Sequence, residues 1–171
     1  MDALLIIDVQ KALITGAFRE RETLNAIVTA TKRIRSRDGL VVYIQHCHAS
    51  YDPMKKGSEG WDLHDALDVQ SEDEKVEKTA SDSFYKTNLD ELLRSRGVDH
   101  VYISGLQTEF CVDASCRSAL SKDYRVTLIS DGHTTGDAYL QAQQAIDHHN
   151  HVLANLAHPK HQIVLAVSDE I

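Results

Sequence analysis

The chain alternates short, almost wholly apolar runs with longer stretches of helical periodicity, and this feature constrains its fold more than any other. Ala3 to Ile7, Leu40 to Ile44, Val98 to Ser104, Tyr124 to Ile129 and Gln162 to Val167 are each too short for a buried helix. They also lack the polar alternation of a sheet with one wet face, so they predict strands covered on both sides. A shorter strand is expected around Lys75 to Glu77.

Between these runs the period changes to that of a helix. From Arg19 to about Arg37 the apolar residues Leu24, Ile27, Val28 and Ile34 share one face, and the pattern stops at Asp38-Gly39. Asn88 to Arg96, with Gly97 as its stop, Glu109 to Ser121 and Asp137 to Leu156 read as further helices. Strands that alternate with helices in this way predict a doubly wound α/β fold. It would have a six-stranded, mostly parallel sheet with helices on both faces, a Rossmann-like three-layer arrangement. Residues 49–73 contain Pro53, Gly57, Gly60 and many charges but little periodicity. A connection that long marks a lid or an oligomer contact.

At 171 residues the chain has the length of one domain, here expected over residues 1–171. Apolar residues make up 42% and charged residues 26%, which argues against disorder. A formal net charge of −8, with its acids scattered, argues against nucleic acid or an anionic membrane as partner. No apolar run approaches the roughly 20 residues that cross a bilayer. No basic segment or leader-like apolar stretch precedes the first strand, so a cytoplasmic location is expected. A small molecule and further copies of the chain, as a dimer or tetramer, are the expected partners. Cys47, Cys111 and Cys116 form no C-x-x-C pair and leave one over in any disulfide pairing. They suit a reducing compartment and include a candidate reactive thiol.

Doubly wound sheets bind ligands beyond the carboxyl ends of their strands. The residues that follow the strands are Asp8, then His46 and His48, then Lys78, then Gly105 through Cys111, then Asp131 and His133. Any one of them could be polar merely because strand ends meet solvent; their combination is what points to a site. Cys111 falls in the first turn of a predicted helix, where the positive helix end lowers a thiol pKa. Cys116 lies mid-helix and fits a packing role. A lysine beside the thiol would stabilise its thiolate, and a carboxylate could take the thiol proton and return it to a leaving amine. Asp8 and Lys78 can fill those roles, although spacing alone does not choose Lys78 over Lys75.

Four segments carry a resemblance. Ala3-Leu-Leu-Ile-Ile-Asp-Val-Gln10, Glu77-Lys-Thr-Ala-Ser-Asp-Ser-Phe84, Gly105-Leu-Gln-Thr-Glu-Phe-Cys-Val112 and Asp131-Gly-His-Thr-Thr135 resemble, in this order, the isochorismatase-like cysteine hydrolases. The resemblance covers nearly the whole chain. It implies a catalytic triad of Asp8, Lys78 and Cys111, with no cofactor. It also implies a cis peptide before Gln107 that turns the backbone N–H groups of Gln107 and Cys111 toward a developing oxyanion. The implied reaction is hydrolysis of a small molecule's amide-type C–N bond through a thioester. Gln10, Trp61, His46, Thr108 and His133 are the expected pocket residues, Trp61 lying in a segment similar to a loop of a metal-free branch of the family. Trp61 could equally bury its area at a subunit contact.

No metal is expected, and His46, His48 and Asp52 are the candidates if one binds. The similar nicotinamidases place an Asp-x-His and a further His at this strand end. Here His46 stands for the acid and Asp52 for the last histidine, which counts against nicotinamide as substrate. Two alternatives stand beside amide hydrolysis. One is vinyl ether hydrolysis of isochorismate, which proceeds without a nucleophilic cysteine. The other is a non-catalytic binding or redox-sensing thiol protein on the same fold.

Overall fold

In a computed structural model describing residues 1–171, the first apolar run becomes the innermost strand. This is β1 (Asp2–Ile7), whose residues from Ala3 to Ile7 are fully buried. β2 (Leu40–His46) and β3 (Glu74–Lys78) lie successively on one side of it. β4 (His100–Leu106), β5 (Arg125–Thr134) and β6 (Val164–Ala166) lie on the other. The six strands are all parallel, in the order β3-β2-β1-β4-β5-β6. The chain therefore winds outward from β1, returns, and winds outward again from β4. The crevice between the ends of β1 and β4 is the switch point at which such sheets bind ligands.

Alternation along β1 sorts the core into two layers. Leu4 and Ile6 pack with Leu24, Ile27 and Ile34 of α2 (Glu20–Arg35) and with Ile14 of the short α1 (Lys11–Ile14). Ala3, Leu5 and Ile7 face α3 (Leu89–Ser95), α4 (Asp113–Ser121) and α5 (Ala142–Ala154), meeting Leu89, Leu93, Cys116, Ala119 and Leu153. Each fully buried Leu or Ile contributes about 2 kcal/mol, so the apolar runs that predicted the strands also supply the force that stacks the layers. α2 carries Glu20 and Glu22 in its first turn and Lys32, Arg33 and Arg35 in its last, which complements the helix dipole.

Gly105 is required by close approach. Its φ is +115°, and a Cβ there would stand 2.0 Å from the carbonyl oxygen of Ile7. Only glycine lets the end of β4 press against the end of β1, where the candidate site begins.

Three elements differ most in their boundaries from the sequence expectation. β5 continues past Ile129 to Thr134. The register slips between Ile103 and Gly105, so that Gly105 pairs with His133, and this irregularity absorbs the turn-forming Ser130-Asp-Gly132 without ending the strand. β6 is confined to Val164–Ala166. α5 starts at Ala142, because Asp137 lies outside it and accepts a hydrogen bond from the Ala142 N–H at 2.9 Å. Residues 49–73 hold two short 3-10 turns, Asp52–Met54 and Glu59–Trp61, and one bridge from Leu63 to Gln10. Arg35 ties the segment down through Asp68 and Asp73. No helix is long and apolar enough to cross a membrane.

Candidate active site

Asp8 follows β1 directly, in the left-handed region with φ 55°, and its N–H donates to the Ile44 carbonyl at 2.8 Å. This bend turns the carboxylate into the crevice, where only 1% of the residue is exposed. Lys78 is the last residue of β3 and pairs in register with His46 at the end of β2. Strand alternation decides its direction: Val76 and Lys78 point inward, while Lys75 and Glu77 face solvent.

Cys111 sits in a π-helical turn, Thr108–Val112, ahead of α4. The Val112 N–H reaches back five residues to the Gln107 carbonyl at 3.2 Å. The expected α-helical first turn is thus replaced by a wider one, as is common near functional sites.

The side chains converge on one atom. Lys78 Nζ lies 2.8 Å from Asp8 Oδ2, 3.2 Å from Cys111 Sγ, 3.1 Å from His46 Nδ1 and 3.0 Å from the Ala80 carbonyl. Asp8 Oδ1 is buried with no partner of its own, and the carboxylate and the thiol lie within hydrogen-bonding reach of each other. An ammonium has three protons for these four neighbours, and sulfur is the weakest acceptor among them. The arrangement that uses every group gives the three Lys78 protons to Asp8, His46 and Ala80. The thiol is then left to donate to Asp8.

Electrostatics corrects one expectation. Burial pushes the Cys111 thiol up to about 11, the Asp8 charge adds to this, and Lys78 opposes it. Burial and the Asp8 charge thus favour the thiol form, where the helix end alone was expected to lower the thiol pKa. Burial also raises Asp8 despite the ammonium beside it, which makes it a stronger base than an exposed aspartate. His46 falls to about 4 through burial and then the Lys78 charge, so it is neutral at physiological pH.

The cavity over Cys111 measures about 210 Å³. His46 and Gln107 border it, and Leu13, Tyr51, Met54 and Phe110 supply apolar walls that sequence reasoning did not single out. Only Phe110, beside the cysteine, carried a signal in its position. The peptide between Leu106 and Gln107 is cis. The Gln107 N–H makes none of the backbone hydrogen bonds that tie the neighbouring turns together, which leaves it available to a ligand.

Four expected pocket residues lie elsewhere. Gln10 is fully buried and staples three segments: its Nε2 donates to the Trp61 carbonyl at 2.8 Å and the His46 carbonyl at 3.2 Å, and its Oε1 accepts from the His46 N–H. Trp61 points to the far side of β2 and β3, donating from Nε1 to Cys47 Sγ at 3.3 Å, and borders a separate hollow with Gln45 and Lys75. Thr108 and His133 are bonded to each other, Oγ1 to Nδ1 at 2.9 Å, and the imidazole Nε2 meets Asn150 Oδ1 at 2.9 Å. They brace the turn that carries Cys111 from behind. His133 borders a separate cavity of about 650 Å³ between α2 and α5, whose lining contains no cysteine.

The candidate metal set is also dispersed. Asp52 pairs with Lys55 at 2.6 Å, and His48 Nδ1 accepts from the backbone N–H groups of Ser50 and Tyr51. Asp8, His46 and Cys111 do bring three ligand atoms within 4.8 Å of one another. The Lys78 ammonium stands within hydrogen-bond distance of all three, so a metal ion would have to displace a cation already there.

With this geometry in view, similarity to known proteins decides the family. The sequence model of the isochorismatase domain matches residues 2–158. The chain belongs to the isochorismatase family. A streptothricin hydrolase of Streptomyces noursei is 34% identical over 141 residues, covering 80% of this chain and 51% of that protein. The chain spans about half the length of the first curated relatives it matches. Among solved structures, one isochorismatase family protein superposes with a TM-score of 0.84 at 30% identity, covering 95% of this chain and 97% of that one. The N-carbamoylsarcosine amidase of Thermoplasma acidophilum superposes with a TM-score of 0.82 at 27% identity, covering 99% and 98%. The isochorismatase family thus joins the six-stranded parallel sheet to relatives that include an amidase.

Proposed function

We propose that the chain is a cysteine-dependent amidohydrolase that cleaves the C–N bond of a small amide through a thioester. The observation that carries this reading is the buried contact chain from Cys111 Sγ to Lys78 Nζ to Asp8, with Asp8 Oδ1 unpartnered. Such a set has little structural purpose, because burying two opposite charges beside a thiol costs more desolvation than an apolar core of the same volume.

In the mechanism, Asp8 takes the thiol proton as Cys111 sulfur attacks the substrate carbonyl carbon. Lys78 stays charged, holding Asp8 in place and stabilising sulfur as it loses the proton. The N–H groups of Gln107 and Cys111 donate to the tetrahedral oxyanion. Asp8 then returns the proton to the leaving nitrogen, the C–N bond breaks, and ammonia or an amine departs. A water, deprotonated by Asp8, attacks the thioester carbonyl and releases the acid, and the proton on Asp8 restores the thiol. The raised thiol pKa fits this order, since proton transfer accompanies attack and no standing thiolate is needed.

The test is a screen of primary amides and ureides that follows ammonia release, with acid quenching and mass spectrometry to look for an acyl adduct on Cys111. A turned-over amide that leaves an adduct mass on Cys111 is the expected result. Full turnover by Cys111→Ala, or thiol reactivity with no amide hydrolysed, would overturn the reading, the second outcome favouring a thiol sensor.

A further inference from the structure

The cavity over Cys111 is small for a ligand site. Its volume of about 210 Å³ lies below the roughly 300–1,000 Å³ that hold drug-sized molecules. Four of its walls, Leu13, Tyr51, Met54 and Phe110, offer carbon surface.

Charge is where the cavity is most selective. No lysine or arginine lines it, and the nearest ammonium, that of Lys78 behind Cys111 and His46, already faces Asp8, His46, Ala80 and Cys111, so it has no proton free for a substrate carboxylate. His46 accepts one of those protons at Nδ1, which places its own ring proton on Nε2 and leaves the imidazole a neutral donor. The lysines of the adjoining loop are engaged elsewhere, Lys55 with Asp52 at 2.6 Å and Lys56 with Glu77 at 2.7 Å. Asp8 lies directly behind the thiol and adds negative charge. The remaining polar lining, His48, Ser81 and Gln107, includes neither lysine nor arginine, so an anionic substituent entering this space would lose its water and meet no lysine or arginine charge in return.

We propose that this cavity selects a compact, uncharged amide with an apolar acyl group and discriminates against amides that carry a carboxylate. The inference rests on the amidohydrolase reading for its chemistry, but its charge preference is a property of the cavity alone. It separates this chain from the N-carbamoylsarcosine amidase it superposes on, whose named substrate is a carboxylate. His46 is the residue that sets the preference at the polar end, as a donor without charge.

Two matched pairs of probes test it. Alkylation of Cys111 by iodoacetamide and by iodoacetate, followed on the Cys111 peptide by mass spectrometry, compares a neutral with an anionic reagent of nearly the same shape and needs no turnover. The ratio of the two rates, divided by the same ratio for glutathione, is expected to exceed about tenfold, a discrimination of roughly 1.4 kcal/mol. Tyr51→Arg, which sets a cation in the half-exposed wall, is expected to lower that ratio by about fivefold or more. Hydrolysis of isobutyramide and of malonamate is the second pair, with the neutral amide favoured at least about tenfold in kcat/KM. A normalised alkylation ratio near or below one overturns the charge inference, whatever is hydrolysed. A ratio above tenfold with no amide turned over overturns the amidohydrolase reading and leaves the charge preference standing.

Discussion

Cys111 and Cys116 are five residues apart on one helical segment, and both are buried. Cys116 is wholly enclosed by the apolar layer beneath α4, and burial drives its thiol pKa upward. Burial also raises Cys111, so it favours the thiol form at both positions. They differ in what stands beside the sulfur. Cys111 meets Lys78 at 3.2 Å with Asp8 behind it, whereas the nearest charges to Cys116 belong to Asp113 and Arg117, which are bonded to each other. Burial alone therefore does not mark a reactive cysteine. A buried cation and an unfilled carboxylate oxygen next to it do.

The largest test of that contrast removes each sulfur in turn. Cys111→Ala is expected to cut amide turnover by about 10⁴-fold or more while the fold persists. Cys116→Ala is expected to keep activity within a few-fold and to lower stability by about 1–2 kcal/mol through the small cavity it leaves. Turnover and thermal unfolding of both variants check this, and equal activity losses would break the distinction. Next in size is Lys78→Met. Removing the ammonium raises the Cys111 pKa further, so iodoacetamide labelling of Cys111 should slow near pH 8 and its rise with pH should move upward. Turnover should fall by about 100-fold. Cys116 labelling in the same sample should not change. Because the variant leaves Asp8 buried without its partner, at a cost of about 3–5 kcal/mol, the double variant with Asp8→Asn provides a folded comparison.

How far this contrast was legible in the sequence depends on which residues carry it. The strands were readable because parallel strands are apolar on both faces, and the mid-helix place of Cys116 already suggested packing. Lys78 was ambiguous with Lys75 by spacing, yet the alternation about Val76 distinguishes them, since only a residue two along shares its inward face. The walls were not legible. Leu13 lies on a four-residue helix with no periodicity to detect, and Tyr51 and Met54 lie in the irregular 49–73 segment, where no period ties residue number to direction. Gln10 and Trp61 were misplaced for a related reason: their side chains hold loops together, and nothing in a linear pattern distinguishes a group that faces a ligand from one that faces a carbonyl.

A smaller effect tests how the Cys111 end of the segment is held. His133, wedged between Thr108 and Asn150, has its pKa pushed down to about 4, chiefly by burial. In the unfolded chain it titrates near 6.5, so below that pH the unfolded state takes up a proton that the folded state refuses. The stability this residue supports is complete above about pH 6.5, falls as the pH drops, and stops falling near pH 4, a total of roughly 3 kcal/mol. Denaturant unfolding at pH 7 and pH 5 should show the wild type losing about 2 kcal/mol more than His133→Gln over that interval. An identical pH dependence in the two proteins would mean that the imidazole is not buried in its neutral form.

The smallest expected effect concerns the third thiol. Cys47 is half-buried at the end of β2 and accepts from Trp61 Nε1 at 3.3 Å; it borders a hollow next to the cavity over Cys111 but does not line that cavity. Trp61→Phe keeps most of the ring's packing and removes one weak hydrogen bond to sulfur, so its stability cost should stay below about 1 kcal/mol. Because Gln10 and Gln45 hold residue 61 through its backbone carbonyl, the loop itself should not move. Turnover is therefore expected within about twofold of the wild type, with the Cys111 labelling rate unchanged. A loss of activity beyond tenfold would place the indole in the substrate's path after all, and the boundary drawn between the reacting thiol and its two bystanders would have to be redrawn at Cys47.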